Sequence, residues 1–245
     1  RDDLPQINQI LNYLNEQTAS SHQSIYVLSS SVVFAADTLK YINMPDQLDA
    51  LPQLQQTFHV DKKEGFPNHF LFAEYVVVAD PIQYHLAPED QRIIGALAAK
   101  ILSGESYGKH YQLLEEFQIK DNIAVKVYRK FEGYSKQSIE ELRNEFQGYY
   151  PDYPILNNIN GLAAMMYNGS YGDKYGLIRV ENDNQIIIHP GESTPTSFEF
   201  NLNKDYKQLT LLANTESEFG EVYLQFYADD SPQPLAQYYV KQANA

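Results

Sequence analysis

Along the chain, apolar positions recur first at helical spacing and then at strand spacing. Leu4, Ile7, Ile10, Leu11 and Leu14 form one stripe behind Asp2 and Asp3 as capping candidates, with Pro5 in the first turn, which predicts an amphipathic helix. SIYVLSSS then reads as a short buried strand ending in three serines, and VVFAADTLKYI as a helix those serines could cap, so the pair predicts a βα unit. A Pro-punctuated loop from Met44 to Pro52 leads through QTFHVDKKEGFP to EYVVVADP, whose run Tyr75 to Ala79 is apolar on both faces, as a central parallel strand requires. PEDQRIIGALAAKIL predicts a helix with Pro88, Glu89 and Asp90 in its first turn, a stripe of Ile93, Ile94, Leu97, Ile101 and Leu102, and Gly104 as a left-handed cap. HYQLLEEFQI and NIAVKVYRKF, separated by Lys120 and Asp121, predict an antiparallel hairpin at the end of the sheet. SIEELRNEF, opened by Ser135 or Ser138, predicts one more helix.

GYYPDYPIL, with two prolines, marks a boundary near residue 150. Beyond it GLIRV, QIIIH, SFEFNL, QLTLLAN, EVYLQFYAD and AQYYVK are short strand-like runs between Asn, Asp, Gly, Pro and Ser. The expected organisation is an α/β domain over residues 1–150, an open and mostly parallel sheet with flanking helices. An all-β, jelly-roll-like sandwich would follow over residues 151–245.

Composition narrows the classes of function. In 245 residues, 43% hydrophobic and 20% charged residues without a low-complexity tract describe a folding chain rather than a disordered one. With 32 acidic against 18 basic residues the formal charge is −14 and the basic residues are scattered, so nucleic acid and anionic lipid surfaces would be repelled. Cysteine is absent, which excludes disulfides and thiolate zinc sites. No stretch approaches the roughly 18 apolar residues of a membrane helix. The start at Arg1, Asp2 and Asp3, leading at once into a helix, reads as a piece of something longer, with a cloning boundary or a processed terminus as equal accounts of it.

Candidate chemistry is sparse. Ser29, Ser30 and Ser31 follow one predicted strand and Asp80 follows another, the place where open α/β sheets bind ligands; their plainer roles are a helix cap and an Asp-Pro turn. His59 and Asp61, with His69 nearby, have the ligand types for a metal or acid/base pair, or for a structural hydrogen bond, and a strand would place His59 and Asp61 on one face. No Gly-rich phosphate loop is present and no cofactor or metal is expected. A Ser/His/Asp hydrolase lacks the Gly-X-Ser-X-Gly elbow, and His85, His110 and His189 read as solitary. Among the many tyrosines of the β region, Tyr223 and Tyr227 are candidates for stacking on a sugar ring, or for ordinary core and cross-strand pairing.

The order EYVVVADPIQYHLAPEDQRIIGALAAKIL, YQLLEEFQIKDNIAVKVYRKF, then HPGESTPTSFEFNL and GEVYLQFYADD resembles the extracytoplasmic C-terminal region of polytopic bacterial membrane glycosyltransferases. The similarity is to mannosyltransferase-type enzymes of Gram-positive bacteria that use a polyprenyl-phosphate sugar. The resemblance implies a place on the outer face of the cell membrane, an anchor through a segment outside this chain, and a partner that is a cell-wall glycan or a polyprenyl-linked sugar acceptor. In that family the catalytic carboxylate lies in an early loop between membrane helices, so no catalytic residue carries over here. The competing expectations are a secreted α/β enzyme working near Ser29 and Asp80, and a surface interaction protein without a small ligand.

Overall fold

In the computed structural model, residues 2–19, 24–42, 53–57, 61, 66–152, 162–170, 172–180, 186–207, 222–226 and 233–240 are described. The chain divides into two compact units, Arg1–Tyr206 and Lys207–Ala245.

The first unit is organised by a five-stranded sheet of β1 (Ser24–Leu28), β2 (Gln53–Gln56), β3 (Tyr75–Asp80), β4 (Tyr111–Gln118) and β5 (Ala124–Lys130), in the order β2-β1-β3-β5-β4. β1 pairs in parallel with β2 and β3, while β3 with β5 and β5 with β4 are antiparallel. The sheet is therefore mixed rather than mostly parallel. A short hairpin connection, with Asp121 and Asn122 both left-handed at φ 60° and 56°, returns the chain beside itself, and no crossover helix is needed there.

Helices cover both faces. On one side α1 (Leu4–Thr18) lays Ile7, Ile10, Leu11 and Leu14 against Ile25, Val27, Val77, Val125 and Val127, joined by Leu39 of α2 (Ala36–Ile42). On the other, α3 (Asn68–Phe72), α4 (Arg92–Ser103) and α5 (Lys136–Tyr149) pack Phe70, Leu97, Ile101, Leu142 and Phe146 over Tyr26, Leu28, Val76 and Val78. Every residue from Val76 to Ala79 is fully buried, which is why that run carries no polar alternation. Each such aliphatic side chain contributes on the order of 1.5–3 kcal/mol of transfer free energy.

α4 begins later than its periodicity predicts. Pro88–Asp90 form a 3₁₀ turn, and Gln91 leaves helical geometry at φ −128°. The cause is its amide oxygen, which accepts from the His85 and Leu86 backbone N–H groups and ties the preceding loop down. Gly104 caps α4 at φ 68°, and the Ser135 hydroxyl caps α5 by accepting from the Ser138 N–H.

Packing against this sheet continues past residue 150. Ala163, Ala164 and Met165 are buried with the α3–α5 side of the core, and Ile186, Phe200, Leu202 and Tyr206 pack on it. The strands here form two antiparallel pairs, β6 (Met165–Ser170) with β9 (Ser197–Leu202) and β7 (Leu177–Val180) with β8 (Ile186–His189). β9 alternates as its sequence predicts, with Phe198, Phe200 and Leu202 half-buried between exposed Ser197, Glu199 and Asn201. β8 does not follow its apolar composition, since Ile187 and Ile188 are exposed. In the second unit β10 (Val222–Phe226) pairs antiparallel with β11 (Ala236–Val240). The expected strand QLTLLAN lies outside the described residues.

Candidate functional site at the ends of β1 and β3

The strand order places a reversal at β1. The chain leaves β1 toward β2 on one side and returns to β3 on the other, so the carboxyl ends of β1 and β3 flank the crevice where open α/β sheets bind ligands. Ser29, Ser30 and Ser31 emerge there from β1 and Asp80 from β3, as the sequence placed them.

Their hydrogen bonds show what each can do. The Ser29 hydroxyl is buried and donates to the Phe34 carbonyl at 2.7 Å. Ser31 Oγ accepts from the N–H groups of Val33 and Phe34 at 3.2 and 3.1 Å and lies 3.1 Å from Gln83 Oε1. Ser30 donates its N–H to the Gln83 carbonyl at 3.1 Å and its hydroxyl accepts from buried Gln91 Nε2 at 3.4 Å. In these bonds the three hydroxyls meet carbonyl, amide and backbone N–H groups rather than an imidazole or a carboxylate. Asp80 pairs with Lys126 Nζ at 2.7 Å, and Glu116 lies 3.8 Å from the same nitrogen. The hydrogen bond to Asp80 raises the Lys126 pKa above its ordinary value. The Asp80 side chain remains 46% exposed.

The rim is thus a set of hydroxyl, amide and carboxylate groups held by a rigid turn. Among the described residues the rim's cation is Lys126, shared by two carboxylates, which leaves no surplus positive charge there for a phosphate. It suits a neutral ligand bearing hydroxyls, which can donate to Asp80 and bond to the Gln83 amide. No protein-family model, curated protein or solved structure matches this chain, so its function is argued from these groups.

Asp61 has a different role from the rim residues. It lies in helical rather than strand backbone, so the shared face expected for a His-X-Asp strand does not apply. Its buried carboxylate accepts from the Ile93 N–H at 3.1 Å, at the start of α4, and from the Tyr150 hydroxyl at 2.5 Å. Burial raises its pKa, opposed by those hydrogen bonds. His59 lies outside the described residues, as does Tyr227. Tyr223 stands on β10, 45% exposed. Among the described residues no group of three His, Asp or Glu side chains is placed to hold a metal ion, and no helix is long and apolar enough to cross a membrane.

Sequence spacing did not show that His110 belongs to a relay. Its Nε2 lies 2.8 Å from the Ser138 hydroxyl and its Nδ1 lies 3.0 Å from Glu132 Oε1, the connectivity of a Ser-His-acid triad. Burial lowers the pKa of His110, with Glu132 opposing. Yet Ser138 is fully buried in the first turn of α5, and its hydroxyl is also bonded to Ser135 Oγ at 2.9 Å. A substrate carbonyl has no approach, so the relay anchors α5 to the turn that leads into β4. A fluorophosphonate probe should accordingly leave Ser138 unlabelled by intact-mass measurement; stoichiometric labelling at that residue would establish a hydrolase instead.

Proposed function

We propose that this chain is a non-catalytic, extracytoplasmic recognition domain of a membrane glycosyltransferase-like protein, anchored through a segment outside it. In this reading it holds a glycan or sugar acceptor at the ends of β1 and β3, and the strands beyond residue 150 belong to a jelly-roll-like β-sandwich appended for recognition. The observation that carries the reading is the chemistry of the β1/β3 rim. Ser31, Asp80 and Gln83 carry partly exposed hydrogen-bonding groups at a strand-order reversal, while the hydroxyls of Ser29, Ser30 and Ser31 bond to the Phe34 carbonyl and to the Gln91 and Gln83 amides.

The test is calorimetric titration of the purified chain with cell-wall polysaccharides and with polyprenyl-phosphate-sugar analogues. Glycan binding should weaken on the order of tenfold in Asp80→Asn and in Gln83→Ala, the loss of one or two charge-assisted or neutral hydrogen bonds. Ser29→Ala should bind as wild type, because that hydroxyl faces the Phe34 carbonyl. Binding unaffected by Asp80→Asn and Gln83→Ala would remove the rim from the account. Silence across the whole panel would leave a protein-partner role as the better reading.

A further inference from the structure

Among the described residues β4 has β5 on one side and no strand on the other, so it forms an edge of the five-stranded sheet. The ladder fixes which of its backbone groups turn outward. Lys130 donates its N–H to the Glu74 carbonyl, on the β3 side, so alternation gives Arg129, Val127 and Val125 to β4. Their partners Gln112, Glu115 and Phe117 exchange bonds with β5, while Leu113, Glu116 and Gln118 turn their N–H and C=O groups away from the sheet. The Glu116 N–H makes a long bond of 3.3 Å to the neighbouring Glu115 carboxylate, in place of a bond to a strand. The register shift between Leu113 and Glu115 seats the extra residue, Leu114, on the α1 side of the core.

We infer that this edge is a docking site for an extended, basic segment of a partner protein, which adds to the sheet as a strand beside β4. The inference goes beyond the glycan reading and is independent of it. Backbone donors and acceptors in strand register are met in full by another extended backbone, which selects a strand over a helix or a small molecule. Of the two edges, β2 offers four residues and β4 eight, against about five or six in an ordinary strand. β4 also carries neither the proline nor the lysine that often closes an edge. Charge selects the sequence of the guest. Glu115 and Glu116 are both exposed and, being adjacent, stand on opposite faces of the strand. Two copies joined along β4 and centred on these residues would bring four carboxylates together in a chain already at −14, which disfavours a homodimer. A Lys-Arg pair on the guest would instead meet one acid on each face, and an apolar residue beside the pair would cover Leu113, which is 46% exposed.

The experiment titrates the full chain with a short synthetic peptide, Thr and Val alternating around a central Lys-Arg pair, followed by calorimetry and by amide hydrogen exchange. On saturation the amides of Leu113, Glu116 and Gln118 should exchange roughly tenfold more slowly, while those of Gln112, Glu115 and Phe117, already bonded to β5, should not change. Glu115→Lys should weaken the peptide about fivefold and Glu115→Lys with Glu116→Lys roughly tenfold or more, and the double variant should instead take a peptide carrying a Glu-Glu pair. Circular dichroism checks that both variants fold. A second arm needs no variant: N-methylation of the peptide nitrogens that face β4 should abolish binding, because it removes the ladder donors and keeps the charge. Equal affinity for the methylated peptide would reduce the effect to charge attraction and overturn the inference. Protection of the same amides by the Glu-Glu peptide in wild type, a wild-type dimer protected at those amides, or no binding of the Lys-Arg peptide would each overturn it as well. None of these outcomes bears on glycan binding at the β1/β3 rim, which Asp80→Asn and Gln83→Ala test separately.

Discussion

Replacing Lys130 with methionine should stabilise this protein, by about 2–4 kcal/mol at pH 6, and the gain should vanish by about pH 10.5. Lys130 ends β5 on the side of the sheet covered by α3 and is only 1% exposed. Its ammonium group donates to the Leu71 carbonyl at 2.6 Å and sits 5.3 Å from the centre of the Tyr134 ring, in a site otherwise fit for an apolar side chain. Burial lowers its pKa from 10.5 to about 7, with Glu74 opposing. Between those values the unfolded chain binds a proton that the native chain does not, so stability rises with pH across that window. Below pH 7 both states are protonated and the full penalty, on the order of 4 kcal/mol, is present; above pH 10.5 neither is and the penalty is gone. Methionine removes the penalty but leaves the Leu71 carbonyl without its donor, which returns about 1 kcal/mol. Urea midpoints of wild type and Lys130→Met at pH 6, 8 and 10 measure this. A variant less stable than wild type at pH 6 would show that the cation is well solvated by its surroundings. His110 acts in the same direction at lower pH: burial depresses its pKa below 6.5, so its contribution is lost as pH falls through that region.

Lys130 also marks the limit of what periodicity can reveal. In AVKVYRK the alternating valines identify one buried face correctly, and the natural reading of Lys126, Tyr128 and Lys130 is a solvent face. That second face is covered by helices in the fold, so the polar residues on it must find partners far away in sequence: Asp80 for Lys126 and Leu71 for Lys130. The stripe of α1, the uninterrupted apolar run of β3 and the Gly104 cap were legible, and the cap of α5 was narrowed to Ser135 or Ser138, because each depends on neighbours within a turn or two. β2 was not, since QLQQ is an edge strand with one apolar residue and its only instruction to be a strand is the β1 edge beside it. The same division holds for the site. The placement of Ser30 and Asp80 at the ends of β1 and β3 was legible because it follows from the two apolar strand runs themselves. Gln83, Gln91 and the His110 relay were hidden, because what defines them is a partner 52, 61 or 28 residues away.

Asp61→Ala should be the most damaging of the polar substitutions, costing about 2–4 kcal/mol. Asp61 reaches α4 from outside that helix and fills the position of an N-terminal cap, a place that Gln91 leaves empty because its own side chain is turned back to the His85–Leu86 loop. The same carboxylate oxygen receives the Tyr150 hydroxyl, so one residue joins the start of α4 to the end of α5. Alanine would withdraw an acceptor from a buried helix N–H and from the Tyr150 hydroxyl at once. Asparagine keeps an oxygen in place and removes a buried charge that burial already disfavours, so Asp61→Asn should stay within about 1 kcal/mol of wild type at pH 7. Tyr150→Phe should cost about 1 kcal/mol, and the double variant with Asp61→Ala should cost less than the two single losses added, because they share that hydrogen bond. Denaturant unfolding of the four variants gives the cycle. An Asn variant as unstable as the Ala variant would mean that the charge itself is required there, through attraction to the positive N-terminal end of α4. An intact fold with lost glycan binding in Asp61→Ala would move Asp61 from the scaffold into the recognition site.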